Sequence, residues 1–525
     1  MESAAISTPD LLEPREYKRR IWAWTMYDWA NSAFATTILA AILPVYFSQV
    51  AASTLASPTL ATSYWSIGLS ISLLLVAVVS PILGTISDIS RGKKKFLAFF
   101  AGFGIVATAL LVLVSTGDWI LASILAIVSR IGFTGANTFY DALLPHVAKP
   151  EDQDAVSTRG YAMGYLGGGL LLAINIVMLQ VLPGTWGARL SFLSVAIWWA
   201  VFSIPLFRHV PEPPAATETL QPGENVVSAS FKRIRETLGD IRRYRELFKF
   251  LISFLVYNDG IGTIISVAAI YGAELGFGAT ELVLALLLVQ FVGIPFSLIF
   301  GKLPSSTESR RPFYLMFILL NLISLPLVGI LGSRLLPTNL TGAIDPAALG
   351  ADPVRQSNLG LIIGMIFALE IILLAISYFL GPRVLTNLAQ TFDTKRSILL
   401  ALVIYSIVAI WGYFLNSVIE FWFLAWMVAV VQGGSQALSR SMYASLSPAA
   451  KSGEFFGLFG VMEKFSAIIG PILFAAAGLL FGSSRPAILS LILIFLIGGW
   501  LLTRVDVEQG RQVAQAEDQQ YLQPA

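Results

Sequence analysis

Long apolar runs separated by short polar loops form the dominant pattern of this 525-residue chain. A helix of about 20 apolar residues is long enough to cross the ~30 Å hydrocarbon layer of a bilayer. The pattern predicts six such helices before residue 209 and eight after residue 246. Their approximate ranges are 21–50, 62–87, 95–116, 117–146, 157–183, 187–208, 247–276, 279–302, 313–332, 359–380, 397–417, 419–447, 453–482 and 485–504. We therefore expect an all-α polytopic membrane protein with 14 transmembrane helices.

Two parts of the chain repeat one another in register. Asn137 to Tyr140 align with Arg440 to Tyr443 at an offset of 303, whereas Tyr27-Asp28 align with Tyr257-Asn258 at an offset of 230. The difference, 303 − 230 = 73 residues, has the size of two helices with their connections. The chain is therefore predicted to contain two six-helix halves, with an inserted helix pair at about 313–380 in the second half.

Lysine and arginine are unevenly distributed between alternate loops. With the N-terminus placed in the cytoplasm, 27 of the 34 lie on the inner side and three lie within spans, leaving Arg189, Arg334, Arg355 and Arg485 outside. This positive-inside asymmetry predicts that both termini are cytoplasmic. The predicted domains are a cytoplasmic N-terminal tail (1–20), an N-terminal half (21–208), a cytoplasmic linker (209–246), a C-terminal half with the inserted pair (247–504) and a cytoplasmic C-terminal tail (505–525).

Composition excludes several functional classes. Hydrophobic residues make up 56% of the chain and charged residues 13%, which is typical of membrane proteins. The net charge of +2, without a basic face, gives no support for a nucleic-acid partner. The chain has no cysteine and two histidines, and it lacks a phosphate-binding G-x-x-x-x-G-K-[ST] motif. We expect neither a metal site nor a cofactor, and no ATP-driven step.

The first apolar run contains an acid, Asp28. If the bilayer core begins near Ile21, a rise of ~1.5 Å per residue places Asp28 roughly 10 Å deep. A carboxylate at such a position costs at least ~2.5 kcal/mol, so it should face the bundle interior or a water-filled cavity. Asn31 and Tyr27 lie on the same helical face. This face is the first candidate for a polar binding site.

Further polar stripes occur on later helices. The fourth span places Arg130, Thr134, Asn137 and Asp141 on one face, and its counterpart in the second half carries Gln432, Gln436 and Arg440. Such stripes either line a cavity or join helices to one another. The substrate-cavity candidates are Tyr27, Asp28, Asn31, Arg130, Asn137, Tyr140, Asp141, Tyr257, Asn258, Asp259, Gln432, Gln436 and Arg440. The candidates for carrying a coupled proton are Asp28, Asp141, Asp259 and Glu463.

A glycine, an acid and a basic cluster follow one another at 84–95. Gly84 and Asp88 precede Arg91 and Lys93, in the form of the loop between the second and third helices of major facilitator transporters. A glycine permits close helix approach, and an acid at a helix end can pair with basic groups or a helix N-terminus in one gating state. We predict that these four residues form a gating loop. In the second half the acid is replaced by Gln390, so the corresponding contact should be weaker.

Several longer motifs resemble the vacuole-effluxer-like branch of the major facilitator superfamily. They are YDWANSAF at 27–34, GANTFYDALLP at 135–145, GYLGGGLLL at 164–172, YNDG at 257–260, QGGSQALSRS at 432–441 and EFFGLFG at 454–460. The resemblance implies the major facilitator fold and a secondary transporter whose site lies near the midplane between two halves. It further implies export of amino acids, from the vacuolar membrane in a eukaryote or across the cell membrane in a prokaryote. The family pattern has twelve helices, so the inserted pair is a departure.

The resulting hypothesis is a secondary active transporter, not an enzyme, that moves a small polar solute such as an amino acid by alternating access. Its partners would be that solute, the lipid bilayer and a coupling proton or other ion. A lipid-handling protein or membrane-embedded enzyme is the first alternative, and a non-transporting membrane sensor is the second. The sequence leaves substrate, coupling ion, direction and oligomeric state open.

Overall fold

The computed structural model describes residues 12–56, 58–214, 225–239, 242–275, 279–305, 307–337, 359–466, 469–481 and 485–522. Parts of three predicted segments lie outside these ranges: the N-terminal tail before residue 12, residues 215–224 of the linker and the end of the C-terminal tail. The connection of the inserted pair at 338–358, which includes Arg355, lies outside them as well.

The regular elements of the described residues are helices, as predicted. They are α1 (Pro14–Ala51), α2 (Pro58–Ile89), α3 (Lys93–Leu110), α4 (Trp119–Asp141), α5 (Leu144–Val147), α6 (Gln153–Val181), α7 (Trp186–His209), α8 (Val226–Gly239), α9 (Arg245–Glu274), α10 (Ala279–Lys302), α11 (Arg311–Leu335), α12 (Leu359–Val384), α13 (Thr386–Gln390), α14 (Thr394–Tyr413), α15 (Val418–Leu446), α16 (Ser452–Phe465), α17 (Ile469–Phe481), α18 (Arg485–Thr503) and α19 (Val507–Leu522). Helices α11 and α12 occupy the predicted inserted pair.

Thirteen helices of the described chain are long and apolar enough to cross a membrane, whereas the sequence predicts fourteen. The span predicted at 453–482 contains α16 and α17, and residues 467–468 between them lie outside the described residues. Polar groups of α9 form hydrogen bonds with Ser466 and Ile469, on the two sides of these residues. Asp259 Oδ1 accepts a hydrogen bond from the Ile469 N–H at 2.9 Å, and Asn258 Nδ2 donates to Ser466 Oγ at 2.6 Å.

The chain divides into two compact units. The first unit comprises Met1–Phe248, Arg440–Lys464 and Asp506–Ala525, and the second comprises Lys249–Ser439 and Phe465–Val505. The end of α15 and most of α16 therefore belong to the first unit, although they follow the second half in sequence. The predicted domain boundaries remain a prediction.

In the first unit, α1 and α6 approach closely along a series of glycines. Helix α1 begins as an α-helix and includes a π-helical segment at Phe34–Ala41. Thr36 Oγ in this segment donates to the Gly168 carbonyl at 3.2 Å. At Gly167 an added Cβ would overlap the backbone carbonyl of Trp29. The GYLGGGLLL motif therefore brings α6 against the YDWANSAF face of α1, as small residues do at membrane helix interfaces.

We expect Gly167→Ala to destabilise the protein by about 1–3 kcal/mol, because the added methyl group meets rigid backbone. The measurement is the apparent melting temperature of purified protein, followed by tryptophan fluorescence. Gly102→Ala is the matched control, since a Cβ there has no neighbour within 4 Å. A Gly167→Ala protein that melts with the control would contradict the close approach of α1 and α6.

The C-terminal helix α19 is attached to the first unit by its acids. Asp518 accepts hydrogen bonds from the Ala449 and Ala450 N–H groups at 2.9 Å each, and Glu517 pairs with Lys451 at 2.7 Å. Burial alone would raise the pKa of Glu517, but Lys451 and Arg243 outweigh it and lower that pKa. The end of the chain is thus a docked helix.

Candidate functional site

A buried ionic cluster surrounds Arg440 in the first unit. Arg440 is 4% exposed, and its Nη2 donates to Asp28 Oδ2 at 3.2 Å while its Nη1 donates to Asp141 Oδ1 at 3.0 Å. Ser157 accepts two further hydrogen bonds. Arg440 Nε donates to Ser157 Oγ at 2.9 Å, and Arg440 Nη2 donates to the Ser157 carbonyl at 3.0 Å. One guanidinium therefore joins three helices through charge-assisted hydrogen bonds.

Aromatic rings enclose the same guanidinium. Its central carbon lies 4.8 Å from the ring centre of Trp24, 5.6 Å from that of Tyr140 and 4.7 Å from that of Tyr161. The Tyr140 hydroxyl also donates to Asp28 Oδ2 at 2.8 Å. Cation–π attraction strengthens when the cation is removed from water. These rings therefore favour a cation at this position in the bundle.

The cluster carries unequal charge. Asp28 and Asp141 together contribute two carboxylates, and Arg440 contributes one guanidinium. Two carboxylates at one buried cation leave an excess of one negative charge when both are ionised. Such an excess is expensive in a low-dielectric interior, and a proton or another cationic group relieves it.

The predicted polar faces of α1 and α4 meet. Asn31 Nδ2 donates to Asn137 Oδ1 at 2.6 Å, and the Tyr27 ring packs on Tyr140 with centres 4.8 Å apart. Asn31 is buried, and Tyr27 is completely buried. These contacts extend the polar wall that begins at Asp28 by one helical turn.

Arg130 does not join the ionic cluster that contains Asp141, although the two residues share one face of α4. It lines a small pocket together with Tyr64, Trp65 and Ser72, and it forms no ion pair with the described residues. Asn137 and Asp141 lie further along α4, by two and three turns. The structure therefore separates Arg130 from the pairing that Arg440 makes.

The second unit holds a neutral polar cluster. Asn258 Nδ2 donates to Ser466 Oγ, and Asn258 Oδ1 accepts from Gln436 Nε2 at 2.9 Å. The hydroxyl groups of Tyr257 and Ser439 lie 2.7 Å apart. Amide and hydroxyl groups of this kind can donate and accept, so they can bind an uncharged polar group.

The remaining candidates lie beside these clusters. Gln432 is one turn before Gln436 on α15 and half-buried, and Asp259 uses one oxygen at the start of α17. Glu463 pairs with Lys464 at 2.8 Å, and its side chain is 43% exposed. Asp259 is therefore tied to helix structure, whereas Glu463 is the more accessible acid.

The gating-loop residues form a contact within the first unit. Asp88 is fully buried and accepts hydrogen bonds from the Gly453 N–H at 3.0 Å and the Glu454 N–H at 2.8 Å. Lys93 Nζ lies 2.6 Å from Asp88 Oδ1. The carboxylate thus meets both a basic group and the positive N-terminus of α16.

Two further residues of the loop explain its geometry. A Cβ at Gly84 would overlap the Gly453 backbone, so only glycine permits this approach of α2 to α16. Arg91 has φ 52°, in the left-handed region that tight turns use. The turn directs Lys93 back toward Asp88.

Sequence reasoning missed Trp24, Ser157 and Tyr161 as members of the Arg440 cluster. Trp24 stands one turn before Asp28, on a face that the helical period could have identified. Ser157 and Tyr161 precede the glycine motif of α6 by two turns and one turn, and only the packing of α6 on α1 shows their role. The pairing of Asp28 with Arg440, 412 residues apart, had no local signal.

Sequence comparison identifies relatives along almost the whole chain. The family model described as "Vacuole effluxer Atg22 like" matches residues 16–346 and 354–515. The "Uncharacterized MFS-type transporter YxiO" of Bacillus subtilis is 33% identical over 503 residues, which cover 94% of this chain and 97% of that protein. "Autophagy-related protein 22-1" of Penicillium rubens is 22% identical, with 95% and 92% covered.

Solved structures of major facilitator transporters share the fold. The proton:xylose symporter XylE superposes with a TM-score of 0.59 at 13% identity, covering 96% of this chain and 99% of that chain. The human organic anion transporter MFSD10 superposes with a TM-score of 0.56, also at 13% identity, covering 93% and 100%. At such identities the likeness establishes the fold alone.

Proposed function

Since this chain belongs to the vacuole effluxer Atg22-like family of major facilitator transporters, we propose that it exports amino acids or similar small polar solutes by alternating access. It is an integral multi-pass membrane transporter, and its relatives are transporters rather than enzymes. The finer assignment rests on the ionic cluster around Arg440.

The unequal charge of that cluster supports an amino-acid solute. An ammonium group of a zwitterion is a cation that can replace part of the pairing between Arg440 and the two carboxylates. Asp28 is the proposed partner of this ammonium, because it lies on the same α1 face as Asn31. Arg440 is the proposed partner of the solute carboxylate, since its planar donors suit a carboxylate.

The same imbalance supports proton coupling. When no cationic solute is bound, a proton on Asp28 or Asp141 would remove the excess negative charge. Binding of the solute ammonium would then favour release of the proton. A proton gradient is therefore the proposed energy source, with Glu463 as a more exposed acid through which the proton could pass.

The uncharged polar cluster of the second unit is a further proposed solute-binding group. Amide and hydroxyl groups that can donate and accept hydrogen bonds belong to Tyr257, Asn258, Gln432 and Gln436. Asp259 would hold the start of α17 rather than carry a proton, because its Oδ1 already accepts the Ile469 N–H.

We further propose that both termini face the cytoplasm. The support is the distribution of Lys and Arg, with 27 on the proposed inner side and four on the outer side. With this orientation the Asp88 contact lies at the cytoplasmic side, in the cell membrane of a prokaryote or the vacuolar membrane of a eukaryote.

Counterflow in proteoliposomes tests the function, with wild-type protein, Asp28→Asn and a panel of labelled amino acids. We expect exchange of at least one amino acid by the wild type and a loss of about tenfold or more in Asp28→Asn, because a charge-assisted hydrogen bond contributes about 1.5–3 kcal/mol. Glu151→Gln is the control, since Glu151 is an exposed loop acid.

Equal exchange by wild type and Asp28→Asn would contradict the role of this carboxylate. Absence of exchange for every labelled solute by well-folded wild-type protein would instead favour the sensor hypothesis. Net uptake driven by an imposed pH gradient separates proton coupling from passive exchange.

A further inference from the structure

The inserted helix pair of the second unit carries an acid in its apolar core. Glu370 lies near the middle of α12 and is 6% exposed, and Asn321 on α11 is completely buried. Neighbouring side chains of α12, Phe367 and Ile371, are 55% and 66% exposed, as expected for a lipid-facing surface. Glu370 therefore points away from the exposed face of its helix.

Glu370 and Asn321 satisfy only half of each other's hydrogen-bonding capacity. Asn321 Nδ2 donates to Glu370 Oε2 at 3.4 Å and to the Phe317 carbonyl at 3.0 Å. Glu370 Oε1 and Asn321 Oδ1 are buried acceptors that have no hydrogen-bond partner among the described residues. Two buried acceptors without a donor in one pair are costly, and a single hydrogen atom placed between them would satisfy both.

No charge neutralises the acid within the described part of the chain. The titratable groups on the helices that pack around it lie toward the helix ends: Arg311, Tyr314 and Arg334 on α11, Tyr378 and Arg383 on α12, and Glu420, Arg440 and Tyr443 on α15. None of them forms an ion pair or hydrogen bond with Glu370 there. Glu420 is bound by Trp411 and Ser417 at 3.3 Å each.

Trp426 of α15 completes the surroundings. Its indole lies beside the Glu370 carboxyl group, and its Nε1–H makes no hydrogen bond of standard geometry with the described residues. Phe367 packs on the same indole edge to face, with ring centres 5.6 Å apart. The acid therefore sits where the inserted pair meets α15, in a setting that offers polar groups but no cation.

We propose that Glu370 is a proton-binding site that joins the two helices of the inserted pair, α11 and α12, to each other. The bound proton resides on Oε1, and the resulting O–H donates to Asn321 Oδ1. Together with the existing bond from Asn321 Nδ2 to Oε2, this forms a cyclic pair of two hydrogen bonds between an amide and a carboxylic acid. Both orphaned acceptors are then satisfied.

The packing of α11 against α12 then depends on pH. Removing the proton leaves an unpaired charge in the apolar core, whose burial is far more costly than that of the neutral acid. A native state that binds this proton more tightly than the unfolded state loses stability as the pH rises above ~4.3, the ordinary value for glutamate. The site is independent of the proposed amino-acid transport.

The test compares wild type, Glu370→Gln and the control Glu508→Gln, an exposed acid on α19. Glutamine reproduces the neutral acid, because its amide can donate to Asn321 Oδ1. At pH 7 the infrared spectrum of wild type minus that of Glu370→Gln should show the carbonyl stretch of a protonated carboxylic acid, and the spectrum of wild type minus that of Glu508→Gln should not. Apparent melting temperatures from pH 5 to pH 9 should fall more steeply for wild type than for Glu370→Gln.

Absence of this band from the spectrum of wild type minus that of Glu370→Gln would overturn the proposal. So would melting curves of wild type and Glu370→Gln that remain parallel over the whole pH range. Asn321→Leu provides a second variant: it removes the amide partner, and we expect the wild-type infrared band to shift in frequency without disappearing. Because no readout uses a solute, these outcomes are distinguishable from failure of the transport proposal.

Discussion

Replacing Arg440 by glutamine is expected to abolish solute exchange and to cost about 3–5 kcal/mol of stability, because it removes the cation from the buried Asp28 and the half-buried Asp141. Glutamine also removes the cation that Trp24, Tyr140 and Tyr161 enclose. The measurements are the apparent melting temperature and counterflow of purified protein. A protein as stable and as active as wild type would contradict the central role of this guanidinium.

Two further variants separate charge from geometry. Arg440→Lys keeps the positive charge but loses the planar fork that reaches both carboxylates and Ser157, so we expect intermediate stability. The double variant Arg440→Gln with Asp28→Asn removes one positive and one negative charge together. It should be more stable than Arg440→Gln alone while remaining inactive. Recovery of stability without activity would show that the pair serves transport and not only folding.

The hydrophobic pattern predicted the fold class and the helix pair at 313–380, because the length and composition of each apolar run are enough to identify it as a helix. A run of sufficient length must form a helix in a bilayer, since every backbone group has to be satisfied internally. The hydrogen bonds of Asp259 with Ile469 and of Asn258 with Ser466 could not be predicted in this way, because the partners lie about 200 residues apart in the sequence.

The sequence identified which residues belong to the candidate site, but it did not identify which of them contact one another. Asp28 and Arg440 were both identified because ionisable groups inside spans are costly. Which acid meets which base depends on the packing of α1, α4, α6 and the end of α15, and this is a tertiary property. Residues on one helical face need not belong to one site: Arg130 shares a face of α4 with Asp141 but lines a separate pocket.

Asp88→Asn is expected to reduce the exchange rate by about tenfold or more, through the balance between conformers rather than through solute binding. The carboxylate attracts both Lys93 and the N-terminus of α16, and asparagine keeps the shape but loses the charge that both interactions require. We propose that this contact breaks and reforms in every transport cycle. Weakening it would then favour a conformer in which α2 and α16 are apart.

Introduced cysteines report that shift directly, because the chain has none of its own. Ser452 is fully buried at the start of α16, so Ser452→Cys should react slowly with a membrane-impermeant maleimide and faster when combined with Asp88→Asn. The matched control is Gln390→Ala, since Gln390 is the exposed counterpart of Asp88 in the repeated half and carries no charge. Equal labelling rates in all three backgrounds would mean that the Asp88 contact is permanent structure, and α2 and α16 would then move as one body during transport.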